Sequence, residues 1–215
     1  HSPLTSLVCL ENTTNKGGGA CYDIEEILKI KQVCQENNLG LHLDGARLMN
    51  AIVAKKEDPK AYGNMFDTIS VCLSKGLGAP MGTVLLGSNA LMKNAIRVRK
   101  VLGGGMRQIG FMAAAGLYAM NHQVKRLEED HQKAKEISET LATLPYIKMV
   151  EPTETNIVIF YLESHLNEEE FMDALAEKNI RISNMGHGKL RVVTHHDYTQ
   201  VMHDRFLDIL SSYKH

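Results

Sequence analysis

At 215 residues, 44% hydrophobic and 23% charged, the chain has an ordinary globular composition, enough for one domain or a larger domain with a small one attached. Its net charge is −1, from 24 Lys and Arg against 25 Asp and Glu. It has no run of five like charges, which argues against nucleic acid or an anionic membrane as the main partner. No stretch approaches the eighteen or so apolar residues of a membrane-spanning helix.

The chain begins at His1, without a signal or transit pattern, three residues before an apolar run, as if cut from something longer. Leu4 to Leu10 predicts a buried strand, followed by a glycine-rich loop through Gly19. Asp23 is expected to cap a helix whose apolar positions include Ile24, Ile27, Leu28 and Cys34, ending near Gly40. Leu41 to Asp44 predicts a short strand, Leu48 to Ala54 a helix stopped at Asp58-Pro59, Thr68 to Leu73 a buried strand, and Thr83 to Leu86 another. Such alternation indicates an α/β layer with a mostly parallel sheet, in which ligands bind at the carboxyl ends of strands.

From Asn89 the pattern is helical to Leu102, breaks at Gly103-Gly104-Gly105, and resumes to about Asn121. A charged helix then runs to Thr143. Beyond Pro145 an α+β texture predicts strands at 147–150, 157–161, near Ile182 and at 190–193, with helices at 168–178 and from Tyr198. The expected division is a large domain over 1–121 and a connector helix with a small domain over 122–215.

Four cysteines (Cys9, Cys21, Cys34, Cys72) form no CxxC pair, and ten histidines are scattered. We expect a reducing compartment, no disulfide framework and no metal site. The adjacent His195 and His196 would point to opposite faces of a strand, which argues against shared chelation.

Three segments carry candidate chemistry. Lys75, in Ser74-Lys75-Gly76-Leu77-Gly78-Ala79-Pro80, follows an apolar strand. Held among apolar neighbours it would lose solvation, which lowers a lysine's pKa and leaves neutral amine to attack a carbonyl; otherwise it is an exposed loop lysine. Asp44 ends the preceding strand 31 residues earlier, and is either a helix N-cap or an acid facing the same cleft. Arg47 could hold a carboxylate bidentately in that cleft. Arg97, Arg99, Lys100 and Arg107 surround the triple glycine, which opens either a helix N-terminus suited to an anion or a hinge with a solvated basic face.

HLDGARLMNA, SVCLSKGLGAPMGTVLLGS and RKVLGGGMRQIGFMAAAGLYA resemble the core motifs of the low-specificity L-threonine aldolases, a branch of the fold-type I pyridoxal-phosphate (PLP) enzymes. LENTTN near the start and LRVVTHHD near the end fit the same order. The resemblance implies part of a fold-type I, transferase-like α/β large domain, a mostly parallel sheet flanked by helices, plus a small C-terminal α+β domain. It implies cleavage of threonine or allo-threonine to glycine and acetaldehyde in a cytoplasmic or mitochondrial homo-oligomer, dimer or tetramer.

Carried over by position, the resemblance makes Lys75 the lysine that holds PLP covalently and Asp44 the partner of its ring nitrogen. Arg47 and Arg191 would bind the amino acid's carboxylate. Arg107 and Lys100 would stand near the phosphate, reaching across a subunit interface, and His1 would stand close to the β-hydroxyl. Thr14 stands where the family usually has histidine. The family's N-terminal part, with its glycine–threonine phosphate turn, stacking histidine and carboxylate-binding serine, is not in these residues. Its absence would leave surface such as the Thr68–Leu73 strand poorly covered. The rival readings are another fold-type I lyase acting by β-elimination, a transaminase, and a truncated non-catalytic isoform.

Overall fold

The computed structural model describes residues 3–213. The chain forms two compact units, one of residues 1–13 and 21–125, the other of residues 14–20 and 126–215.

In the first unit, β1 (Leu7–Glu11), β2 (Gly40–Gly45), β3 (Thr68–Cys72) and β4 (Thr83–Gly87) form one sheet in that order. The first three strands are parallel, and β4 runs antiparallel to β3. Alternation along the strands separates two faces. Leu10, Leu41, Leu43, Ile69 and Val71 are buried, and α1 (Ile24–Glu36) and α2 (Leu48–Lys55) pack against β2. Each such Leu or Ile contributes about 1.5–3 kcal/mol by leaving water. The opposite face carries Glu11, His42, Asp44, Thr68 and Ser70.

Local details depart from expectation at several places. The strand expected to be buried over Leu4–Leu10 spans Leu7–Glu11 instead, with Leu4 and Leu7 exposed and Leu10 alone of its residues buried. Asp23 occupies the N-cap position of α1, yet makes no capping hydrogen bond; its carboxylate lies 3.4 Å from Lys55 Nζ. Pro59 does more than end α2. It opens a further short helix, α3 (Pro59–Met65), capped by Asp58, because proline's missing N–H costs nothing in a first turn. The triple glycine does not open a helix. It follows the C-terminus of α4 (Asn89–Val101), where Gly103 takes φ +85°, while α5 (Gly110–His122) begins five residues after Gly105. Gly103 N–H and Gly104 N–H donate to the carbonyls of Lys100 and Arg99 (3.2 and 2.8 Å), so these amides close a helix rather than await an anion.

The expected bare strand is also covered. Ile69, Val71 and Leu73 are 4%, 5% and 7% exposed. The open apolar surface lies instead on β4 (Val84, Leu85, Leu86) and on α4 and α5 (Ile96, Val98, Phe111, Leu117).

The second unit holds an antiparallel sheet of β5 (Ile147–Val150), β6 (Ile157–Leu162), β8 (Leu190–Val193) and β7 (Ser183–Asn184), in that order. Its core joins Val158, Phe160 and Leu190 to residues of α6 (Leu127–Ala142), α7 (Glu168–Glu177) and α8 (Gln200–Ser212). Arg126 pairs bidentately with the buried Asp130 at 2.8 and 3.0 Å, and Asn167 accepts from the first amides of α7. Among the described residues no helix is long and apolar enough to cross a membrane.

Candidate active site

Asp44 lies in β2 and Lys75 just past the end of the adjacent parallel strand β3, both in the first unit. Asp44 is the penultimate residue of β2, paired in register with Ser70 of β3, and Lys75 comes three residues after β3 ends. Both therefore stand at the carboxyl end of the sheet, where α/β proteins receive ligands.

The backbone around each is firmly held. Asn12 N–H donates to the Asp44 carbonyl at 3.0 Å, tying the end of β1 to the end of β2. Buried Asn12 is itself held: its Nδ2 donates to Tyr62 Oη at 3.2 Å, and Tyr62 Oη donates to Glu57 at 2.6 Å. Burial, then the hydrogen bond to Glu57, pushes the Tyr62 phenol well above its ordinary range, so it stays a donor. Gly45 is required here, since a Cβ would sit 2.4 Å from the Ser70 carbonyl oxygen.

Past β3 the chain is cross-braced. Leu73 N–H donates to Gly82 O, Ala79 N–H to Leu73 O and Gly78 N–H to Lys75 O, at 2.8–2.9 Å.

The Asp44 carboxylate is exposed. Its Oδ1 accepts Ala46 N–H at 3.0 Å, and its Oδ2 has no protein partner among the described residues. This is a tight turn leading toward α2, not a helix cap, because the N-cap position of α2 falls to Arg47. Lys75 is exposed as well and pairs with no described residue, so these residues do not supply the expected desolvation. An unpartnered amine and a carboxylate with an open oxygen, on neighbouring strand ends, suit an aldehyde-bearing pyridine such as PLP. His42 Nδ1 and Thr68 Oγ1 share a hydrogen bond of 2.8 Å on the same sheet face.

Other predicted residues lie elsewhere. Arg47 is half-buried beside Asp44 in sequence. Lys100 and Arg107 are exposed, with Lys100 Nζ 3.4 Å from Gly105 O. Arg191 belongs to β8 of the second unit and bonds Asn15 there. His1 lies outside the described residues. His195 and His196 follow β8 in a loop. Among the described residues no three His, Cys, Asp or Glu side chains gather as a metal site.

The family model described as beta-eliminating lyase matches residues 1–165, and the chain belongs to that family. Within it, the chain is similar to low-specificity L-threonine aldolases. It is 40% identical over 200 residues to aldolase 1 of Arabidopsis thaliana, covering 92% of this chain and 56% of that protein. With the enzyme of Escherichia coli it shares 39% identity over 200 residues, 93% of this chain and 58% of the other. The chain thus spans a little over half the length of the curated relatives it matches. Among solved structures, a Leishmania major threonine aldolase superposes with TM-score 0.79 at 22% identity, over 96% of this chain and 60% of that one. A histidinol-phosphate aminotransferase from Clostridium acetobutylicum reaches TM-score 0.69 at 17% identity, over 95% and 63%. The architecture is that of the fold-type I PLP enzymes, and it is shared by different chemistries.

Proposed function

We propose that the protein containing this chain cleaves L-threonine or L-allo-threonine to glycine and acetaldehyde, with PLP as cofactor, as a homo-oligomer. The observation that carries this reading is the amine of Lys75 and the carboxylate of Asp44 on the carboxyl ends of neighbouring parallel strands, in a chain about 40% identical to threonine aldolases.

When bound, PLP supplies a sink for the electron pair released at Cα. Lys75 would hold the cofactor through its aldehyde, with its amine as the covalent attachment point. Asp44, whose Oδ2 is left free by Ala46, would hold the cofactor's ring nitrogen in its protonated form. The resemblance assigns both Arg47 and Arg191 to the substrate carboxylate; positioning of this kind is worth on the order of 7 kcal/mol in favourable cases. Lys100 and Arg107 would contribute positive charge toward the cofactor's phosphate across a subunit interface. His1, or a water that it holds, takes the β-hydroxyl proton as the aldehyde leaves.

The test is borohydride reduction of the whole protein with PLP, followed by peptide mapping, and product analysis with threonine. We expect the adduct on the Lys75 peptide, and acetaldehyde with glycine as products. An adduct on another lysine would remove Lys75 from its role. Ammonia and a keto acid would instead assign β-elimination.

A further inference from the structure

Within the second unit, Arg191 carries a charge that no carboxylate answers. It lies on the inner strand β8, paired through its backbone with Ile159 on one side and Ser183 on the other. Its Nη1 donates to Asn15 Oδ1 at 2.9 Å, its Nε is buried without a hydrogen-bond partner, and among the described residues it forms no ion pair. It also lines a cavity of about 750 Å³ with Arg181, Arg205 and His195, and the wall of that cavity contains no Asp or Glu. A half-buried guanidinium in such surroundings is costly without an anion.

Asn15 reaches Arg191 across 176 residues of sequence because its loop folds onto the small sheet. Thr14 N–H donates to Ala20 O and Gly19 N–H to Thr14 O, at 3.0 and 2.8 Å, and Thr155 Oγ1 donates to Gly19 O at 2.8 Å. Gly18 and Gly19 take φ +71° and +77°, and a Cβ on Gly19 would stand 2.5 Å from Thr155 Oγ1. The loop therefore presents the Asn15 amide from a fixed backbone.

We propose that Asn15 is a positioning residue for Arg191: a neutral acceptor that orients the guanidinium fork without cancelling its charge, so that the charge remains for a ligand's carboxylate. This rests on the reading of Arg191 as the carboxylate-binding arginine. The identity of the acceptor matters. An aspartate would occupy the same place but pair internally with Arg191 and compete with any incoming carboxylate. An alanine would leave the charge and free the fork to reorient.

The experiment measures glycine affinity by calorimetry, KM and kcat for L-threonine, and the unfolding midpoint, in the whole PLP-loaded protein and its Asn15→Asp, Asn15→Ala and Arg191→Lys variants. Asn15→Asp should weaken glycine binding and raise KM by roughly tenfold or more, the loss of one charge-assisted contact. Its kcat should change far less, and its unfolding midpoint should not fall. Asn15→Ala should raise KM by a smaller factor. A purely structural tether predicts the reverse for Asn15→Asp, with folding and KM both preserved, and that result overturns the proposal. If Arg191→Lys weakens glycine binding while Asn15→Asp does not, Asn15 alone loses its role. If Arg191→Lys leaves glycine affinity and KM unchanged, or the parent protein binds no glycine, the carboxylate reading falls and the proposal with it.

Discussion

On the proposed reading Asp44 serves two purposes through two oxygens, and a single substitution separates them. Oδ1 holds the turn by accepting Ala46 N–H, and Oδ2 is open. An asparagine at this position would keep the first interaction and lose the charge, so Asp44→Asn should fold normally and still be trapped on Lys75 by borohydride. Its threonine cleavage should fall on the order of 100-fold, since an uncharged partner no longer holds the ring nitrogen protonated. Turnover near that of the parent would disprove the acid's role. Arg191 calls for a different readout. Lysine cannot reproduce the planar fork, so Arg191→Lys should raise the KM for threonine without loss of PLP. A parallel loss of PLP would move Arg191 to the phosphate.

At the scale of elements, the junction of β2 and β3 has the least room for change. Gly45→Ala would drive a methyl group into the Ser70 carbonyl at 2.4 Å and against Leu48 Cβ at 3.1 Å. Urea unfolding should show a loss of about 3 kcal/mol, the upper end for overpacking. Gly63, in α3, is the contrast, with nothing within 4 Å of a built Cβ. Gly63→Ala should gain about 0.5–1 kcal/mol, because alanine loses less backbone freedom in a helix. Equal effects at the two sites would refute the packing argument. Dependence on neighbours also explains why the triple glycine misleads when read from sequence. Glycines suit both a helix start and a left-handed C-terminal turn, and only the Lys100 and Arg99 carbonyls, already in place, settle which one forms.

Two expectations belong to the molecule as a whole. The first is acid sensitivity of the second unit. Burial, opposed by Asp130 and Glu128, lowers the pKa of His131 from its usual 6.5. A hydrogen bond from Gln132, then one from His203 (Nε2 to Glu136 Oε2, 2.7 Å), lowers that of Glu136 from 4.5. Both groups bind protons more tightly in the unfolded chain, so stability rises with pH wherever either titrates. The His131 contribution is complete above 6.5 and is lost as pH falls through its lower folded value; the Glu136 contribution is lost below 4.5. Tyrosine-monitored urea unfolding should show both stages, and His131→Gln should abolish only the first. A pH-independent midpoint would contradict this.

The second expectation is that residues 1–215 alone bind PLP weakly and release little acetaldehyde from threonine. The Gly103 and Gly104 amides are taken up by the Lys100 and Arg99 carbonyls, and β4, α4 and α5 leave apolar side chains in water. Robust turnover by this chain alone would show that these residues suffice.

Much of this is legible in the sequence alone, because it rests on local patterns. The alternation in Leu41–Asp44 and Thr68–Leu73, the helical spacing after Asp23, and the acid and lysine closing successive strands all lie within short windows. Periodicity in such windows decides which face is buried. What the sequence leaves open involves partners distant along the chain. These include the reversed direction of β4, the exposure of Lys75, and the grouping of residues 14–20 with the second unit. The Asn15–Arg191 contact is the extreme case, since nothing in LENTTN reveals an acceptor for a guanidinium 176 residues away. Side chains that solvate, pair or cover one another across such separations obey no spacing rule, and their fate depends on which surfaces the folded chain brings together.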